Sequence, residues 1–163
     1  MTADSSPEIK FVADKMLGRL VRWLRIIGQD VTYGAHLSGN GLIRAARKDG
    51  RLILTRDRRI GKRTTPPEYL LVRSDHFRDQ LRQVVQTFNL DVSGKVFTRC
   101  VSCNSPLEPV AKEGVKDQVP PYVFSTQEKF SFCRECQHIY WPATHLERML
   151  DELRSLGLNV TGK

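Results

Sequence analysis

Short apolar runs and stretches of helical period alternate along the first part of the chain. Residues 9–13, IKFVA, read as a short strand with Phe11 and Val12 as its apolar positions. From residue 15 to residue 27 the period turns helical. Leu17, Leu20, Val21, Leu24 and Ile27 fall within about 120° of arc at about 100° per residue, and Gly28 stops the helix. Residues 30–33 form a second strand, residues 42–48 a short helix closed by Gly50, and residues 51–55 the clearest strand. A basic loop containing Pro66 and Pro67 follows, then a fourth strand over residues 69–72. Ser74 is placed to cap the next helix, in which Phe77, Leu81, Val84, Val85 and Phe88 share about 100° of arc. This alternation predicts an α/β fold, a mostly parallel sheet flanked by helices.

Near residues 95–99 the regular alternation gives way to cysteines, prolines and short apolar pieces. The expected organisation is an α/β domain over residues 9–97, a small cysteine-bearing unit over 98–145, and a C-terminal helix and tail over 146–163. In that last segment Leu146, Met149, Leu150 and Leu153 keep helical spacing. Residues 1–8 are polar and expected to fray.

Composition excludes several classes. Of 163 residues, 40% are hydrophobic and 27% charged, which is globular rather than disordered. The longest uncharged apolar runs are a few residues, whereas a membrane-spanning helix needs about 20. The opening segment has neither a basic start nor the apolar core of a secretory signal. Net charge adds a direction. Residues 1–99 carry 19 basic and 10 acidic groups, and residues 100–163 carry 7 and 8. The positive excess therefore belongs to the first part, which is expected to bind a polyanion, with nucleic acid the natural candidate.

All four cysteines, Cys100, Cys103, Cys133 and Cys136, form two C-x-x-C pairs separated by 29 residues. Two such knuckles complete a tetrahedral zinc site. The spacer exceeds the common 15–20 residues by roughly ten, so one loop of the ribbon is extended. A thioredoxin-like strand and helix around either pair is missing, so a redox dithiol does not fit. With all four ligands cysteine, the zinc is structural, and the setting is expected to be reduced and cytoplasmic.

In a parallel sheet, ligands bind beyond the carboxyl ends of the strands. Asp14 follows the first strand, Asp57 the third and Asp75 the fourth, with Asp79 one helical turn further on; Asp30 and Asp49 precede strands and belong to the opposite edge. Carboxylates converging on one edge suit a cation, and Mg²⁺ or Mn²⁺ held by Asp oxygens suits a phosphodiester. The alternatives are local: Asp14 as a helix cap, Asp75 as a helix N-terminal charge, Asp57 as a turn residue paired with Arg58 or Arg59. Around them lie Arg56, Arg58, Arg59, Lys62 and Arg63, while Lys15, Arg19 and Arg22 share one side of the first helix. These are the candidate contacts to RNA phosphates.

The stretches FVADKMLGRLVRWLRIIGQD (11–30), RLILTRDRRI (51–60), TRCVSCNSPL (98–107) and FCRECQHIYWPATHLERM (132–149), in that order, resemble the PIN-like ribonuclease domain family named for the C-terminal part of the Mut-seven exonuclease. The resemblance implies a PIN-like α/β fold with a C-terminal zinc ribbon, and metal-dependent cleavage of RNA. It implies that Asp14 is the first acidic position, Asp57 the acid of the T-R-D element, and the four cysteines the zinc ligands. The family pattern also carries an acid just before the second helix. Here residues 36–42 read HLSGNGL, and Asn40 is the nearest substitute, offering an oxygen but no charge. The site then holds metal more weakly or recruits Asp75 or Asp79. The alternative function is a non-catalytic RNA-binding module that keeps the basic face and the ribbon. Tyr140 and Trp141, with His138 and His145 beside them, are expected to pack in the ribbon rather than stack on bases, and Trp23 to pack at the border of the first helix.

Overall fold

A computed structural model describes residues 8–92, 94–142 and 146–160. The expectations for residues 1–7 and for His145 lie outside the described residues. The chain divides into two compact units. One runs up to Leu24 and takes in Gln29–Leu90; the other joins Arg25–Gly28 to the residues from Asp91 onward.

In the first unit, β1 (Lys10–Ala13), β2 (Asp30–Tyr33), β3 (Leu52–Thr55) and β4 (Tyr69–Leu71) form one sheet in the order β2-β1-β3-β4. Every pairing is parallel, with Phe11 opposite both Val31 and Leu52, and Ile53 opposite Tyr69. Successive strand residues point to opposite faces, and both faces of this sheet are covered. Val12 and Ile53 join Leu42, Ile43 and Ala46 of α2 (Gly39–Asp49) in one buried cluster. Phe11 meets Phe88 of α3 (Phe77–Phe88) edge-on, ring centroids 5.4 Å apart. Burial on two sides explains why these strands read as continuous apolar runs. Leu17, Leu20, Val21 and Leu24, before and within α1 (Gly18–Ile26), are buried as the periodicity requires.

The elements appear where expected, with three shifts at helix starts. The helical stretch expected from residue 15 opens as a 3-10 turn, Lys15–Leu17, before α1 begins at Gly18. α2 starts at Gly39, three residues earlier than its apolar period, so Asn40 lies in its first turn. α3 starts at Phe77, with His76 rather than Ser74 at the N-cap position and no side-chain capping hydrogen bond. The Ser74 hydroxyl accepts from the His76 N–H at 3.0 Å and donates to Asp79 at 3.1 Å, building a turn ahead of the helix. Gly18 has a packing reason. A Cβ there would stand 2.8 Å from the Tyr33 hydroxyl, which itself donates to the Lys15 carbonyl at 2.7 Å.

The second unit contains a three-stranded antiparallel sheet: β5 (Glu108–Val110), β6 (Phe130–Phe132) and β7 (Ile139–Tyr140). Its long spacer is not bare loop. It folds into a 3-10 turn, Lys112–Val115, and α4 (Pro121–Thr126), which enclose Val115, Val119 and Phe130 with Val123, Phe124, Ile139 and Trp141. α5 (Leu146–Ser155) buries Leu150 and Leu153. Among the described residues no helix is long and apolar enough to cross a membrane.

Candidate functional site

Because β1 and β3 run parallel and side by side, the residues that follow them emerge at the same edge. Asp14 directly follows β1, and its N–H donates to the Leu54 carbonyl at 2.9 Å. Its carboxylate is 5% exposed and doubly held. One oxygen accepts from the Met16 N–H at 3.2 Å and caps the 3-10 turn Lys15–Leu17; the other accepts from the Thr55 hydroxyl at 3.1 Å. The same hydroxyl accepts from the Asp57 N–H at 3.0 Å. Thr55 is thus the joint that fixes Asp14 and Asp57 relative to one another. Its role escapes a reading of charges alone. The visible signal is the spacing T-x-D at a strand end, which returns positions 55 and 57 to the same side.

Asp14, Asn40, Thr55 and Asp57 line one open cleft of about 400 Å³, together with Arg59, Lys62 and Arg63. Asp57 caps the 3-10 turn Arg58–Lys62 and is gripped by Arg59, whose Nε and Nη2 donate to its two oxygens at 2.9 and 2.8 Å. The Arg59 side-chain and backbone hydrogen bonds, and the charges of Arg59 and Arg63, hold the Asp57 carboxyl below its usual range despite partial desolvation. The local pairing foreseen for Asp57 is therefore present, and Asp57 also lines the cleft that Asp14 lines.

Asp75 is placed elsewhere. It is 80% exposed, paired with Arg56, and lines a separate cleft with Met16, Arg19, Phe77 and Asp79. Asp30 and Asp49 sit at the opposite edge, both paired with Arg51, at 2.7 and 3.8 Å. Of the basic set, Lys15, Arg19, Arg22, Arg58, Arg59, Lys62 and Arg63 are exposed and Arg56 is half-buried. Arg19 lies over the Phe77 ring at 4.0 Å, and Trp23 stacks on that ring at 5.6 Å, so Trp23 packs as expected.

The donor chemistry of the first cleft fits a hard divalent cation. Mg²⁺ is commonly held by about one or two carboxylates, with water and substrate phosphate completing its shell. Asp14 and Asp57 supply two carboxylates and Asn40 an amide oxygen. Among the described residues no third acidic, histidine or cysteine side chain joins them within ligand distance of one cation.

The four cysteines do converge: their sulfurs all lie within 4.8 Å of one another. The two knuckles are built alike. Asn104 and Gln137, each four residues after the first cysteine of its pair, take positive φ and donate to the Cys100 and Cys133 carbonyls at 2.9 Å. The Cys100 and Cys133 N–H groups donate in turn to Ser105 and His138 carbonyls, at 2.8 and 2.9 Å. Each turn aims two thiols at one point, and four such thiols suit tetrahedral zinc. Crowded thiols without a cation cannot all ionise. Burial raises Cys103, but the Ser105 side-chain and backbone hydrogen bonds and neighbouring thiols draw it down to about 6, while contact with Cys103 and Cys100 pushes Cys136 up to about 12. The Tyr140 hydroxyl lies 3.0 Å from the Cys100 sulfur, and Trp141 packs against Phe130. Both aromatics serve the ribbon.

Residues 9–153 match the family model described as the Mut7-C RNAse domain. No curated protein and no solved structure matches the chain at a significant level.

Proposed function

The chain belongs to the Mut7-C RNAse domain family, and on that footing we propose that it is a metal-dependent ribonuclease hydrolysing RNA phosphodiester bonds at the Asp14–Asp57 cleft. One observation carries this reading: the Thr55 hydroxyl bonds the Asp14 carboxylate and the Asp57 backbone at the carboxyl edge of a parallel sheet, in a cleft also lined by three basic side chains.

Bound Mg²⁺ or Mn²⁺ supplies positive charge that activates water and offsets the charge developing on the phosphate. The rest falls to the chain. Asp14 is held in one rotamer by Met16 and Thr55, so its free lone pairs face the cleft in a fixed direction. Asp57 takes part once Arg59 releases it, and the freed guanidinium becomes a donor to phosphate oxygens. Lys15, Arg19, Arg22, Arg58, Lys62 and Arg63 hold flanking phosphates, and Arg56 joins them by leaving Asp75. Asp75 supports the site electrostatically from the neighbouring cleft. The ribbon of residues 98–145 carries structural zinc, and residues 146–163 complete the chain beyond the α/β nuclease domain of residues 9–97. A reduced, cytoplasmic setting keeps the four thiols available to zinc.

The second reading, a non-catalytic RNA-binding module, is favoured by one specific observation: Asn40 stands in the cleft where an acid would complete the carboxylate set. Incubating the full chain with a mixed RNA pool in Mn²⁺, Mg²⁺ or chelator separates the two. Cation-dependent cleavage supports the nuclease. RNA that is bound but intact in every condition supports the module.

A further inference from the structure

A second basic cleft adjoins the Asp14–Asp57 cleft. It encloses about 320 Å³ and shares Asn40, Ile43 and Arg63 with the first as common wall. Beyond that wall it is lined by Arg44 and Arg47, one helical turn apart on α2, and by Thr64 and Thr65. Among the described residues no carboxylate lines it. Arg47 is oriented across the cleft by donating to the Thr65 carbonyl at 2.8 Å.

Charge bookkeeping sets this cleft apart. Several arginines around the sheet edges of the first unit are paired with carboxylates: Arg59 with Asp57, Arg56 with Asp75, Arg51 with Asp30. Among the described residues, none of Arg44, Arg47 and Arg63 lies within salt-bridge distance of a carboxylate. Arg44 and Arg47, with Arg63 whose charge also reaches Asp57, face one concavity that no carboxylate lines among the described residues; together they focus positive potential and call for an anion. A separate cleft, by contrast, carries two carboxylates, Asp75 and Asp79, beside Arg19 and Arg78.

We propose that Arg44, Arg47 and Arg63 form a phosphate subsite for the RNA backbone, holding a phosphate adjacent to the one presented to Asp14 and Asp57. Guanidinium forks match phosphate oxygens bidentately, and Thr64 and Thr65 offer hydroxyl donors beside them. The shared residue Arg63 makes the two positions successive along one strand. The RNA therefore continues from the carboxylate cleft over α2. This inference rests on the ribonuclease reading for the identity of the neighbouring phosphate.

The test uses the full chain and its Arg44→Gln/Arg47→Gln variant. Both side chains are exposed, so the variant keeps the thermal midpoint of the parent. Binding of a fluorescent single-stranded oligoribonucleotide is measured without added divalent cation and across salt concentrations. A set of oligoribonucleotides, each with one neutral methylphosphonate linkage, is then run on both proteins. The variant is expected to bind about tenfold more weakly, with a salt slope lower by about one. One methylphosphonate position should weaken the parent and leave the variant unaffected. Equal affinity and salt slope for both proteins would overturn the subsite, as would methylphosphonate effects identical in both. If the expected binding pattern appears but no cation supports cleavage, the subsite stands and the ribonuclease reading falls. If cation-dependent cleavage is present while the variant binds like the parent, the reverse holds.

Discussion

The parallel sheet of the first unit and the cysteine ribbon of the second are held by opposite means. In the first, Phe11, Val12, Ile53 and Leu54 are fully buried between helices on both faces of a parallel sheet. In the cysteine ribbon of the second, the strands are three, three and two residues long and the cluster around Val115, Val119 and Phe130 is small, while Leu150, Leu153, Leu156 and Leu158 are buried elsewhere in that unit. What the ribbon lacks in apolar burial is supplied by four cysteines, two of them with no exposure at all. The chemistry differs accordingly. The first unit derives its stability from the core, so the polar residues at its sheet edge are free to serve a substrate. The second spends its reactive side chains on its own fold. A thiol cluster proposed as scaffold and a carboxylate pair proposed as catalytic therefore predict contrasting responses to mutation.

The largest effect is expected at the thiols. Cys133→Ser removes a ligand, and structural zinc is worth about 10–16 kcal/mol of folding free energy in small zinc domains. Amide resonances of the ribbon should collapse while those of the parallel sheet persist, with zinc content falling in step. Purified protein that carries no zinc and keeps an ordered ribbon would remove the distinction between the units. The converse experiment is Ile53→Ala, which opens a cavity at a fully buried position. A loss of about 4 kcal/mol is expected for the first unit in denaturant unfolding, with zinc content unchanged.

How much of this was legible depended on which physical signal carried each element. Helical periodicity placed Leu17, Leu20, Val21 and Leu24 in the core because a buried stripe leaves a 3.6-residue trace. Continuous apolar runs marked β1 and β3 because a sheet covered on both faces needs no alternation. Strand direction sorted Asp14 and Asp57 from Asp30 and Asp49, since parallel strands put their ends on one edge. It also grouped Asp75 with the first pair, whereas β4 is followed by a turn that leaves Asp75 paired with Arg56 and lining another cleft. The Thr55 hydroxyl and the Arg59 grip on Asp57 depend on side-chain geometry, which no periodicity records. The spacer between the knuckles hid α4 because a six-residue helix is too short for a periodic signal.

At the sheet edge the effects turn from stability to chemistry. Asp57→Asn keeps the shape of the cleft and removes one of two carboxylates. Cleavage should fall by at least about a hundredfold, or about 2.7 kcal/mol of barrier, while RNA binding stays equal or tightens because a negative charge beside phosphates is gone. Unchanged cleavage by this variant would assign the activity to another site or another protein. Arg58→Glu/Arg59→Glu should weaken RNA binding about tenfold, alike for different sequences, because phosphate contacts carry no base information. The same reversal on the ribbon side, Arg134→Glu, should leave affinity close to that of the parent. Equal losses from the two reversals would mean that the positive excess of residues 1–99 does not direct binding.

The smallest effect asks what the missing acid costs. Asn40 lies in the first turn of α2, exposed, in the cleft that also holds Asp14 and Asp57. An aspartate there restores a charge without altering length or branching, and a negative group in the first turn is favoured by the helix dipole. Arg63, also in the cleft, offsets part of the added repulsion between carboxylates. A site with two carboxylates and an amide favours Mn²⁺, which binds mixed ligands more tightly than Mg²⁺ does. Asn40→Asp should therefore lower the Mg²⁺ concentration needed for half-maximal cleavage several-fold and narrow the advantage of Mn²⁺. An unchanged Mg²⁺ titration, in protein whose Asp57→Asn variant is inactive, would show that the cation is held without position 40 and that Asp14 and Asp57 suffice. A variant that gains cleavage where the parent has none would instead show that this one amide separates an RNA-binding module from a nuclease.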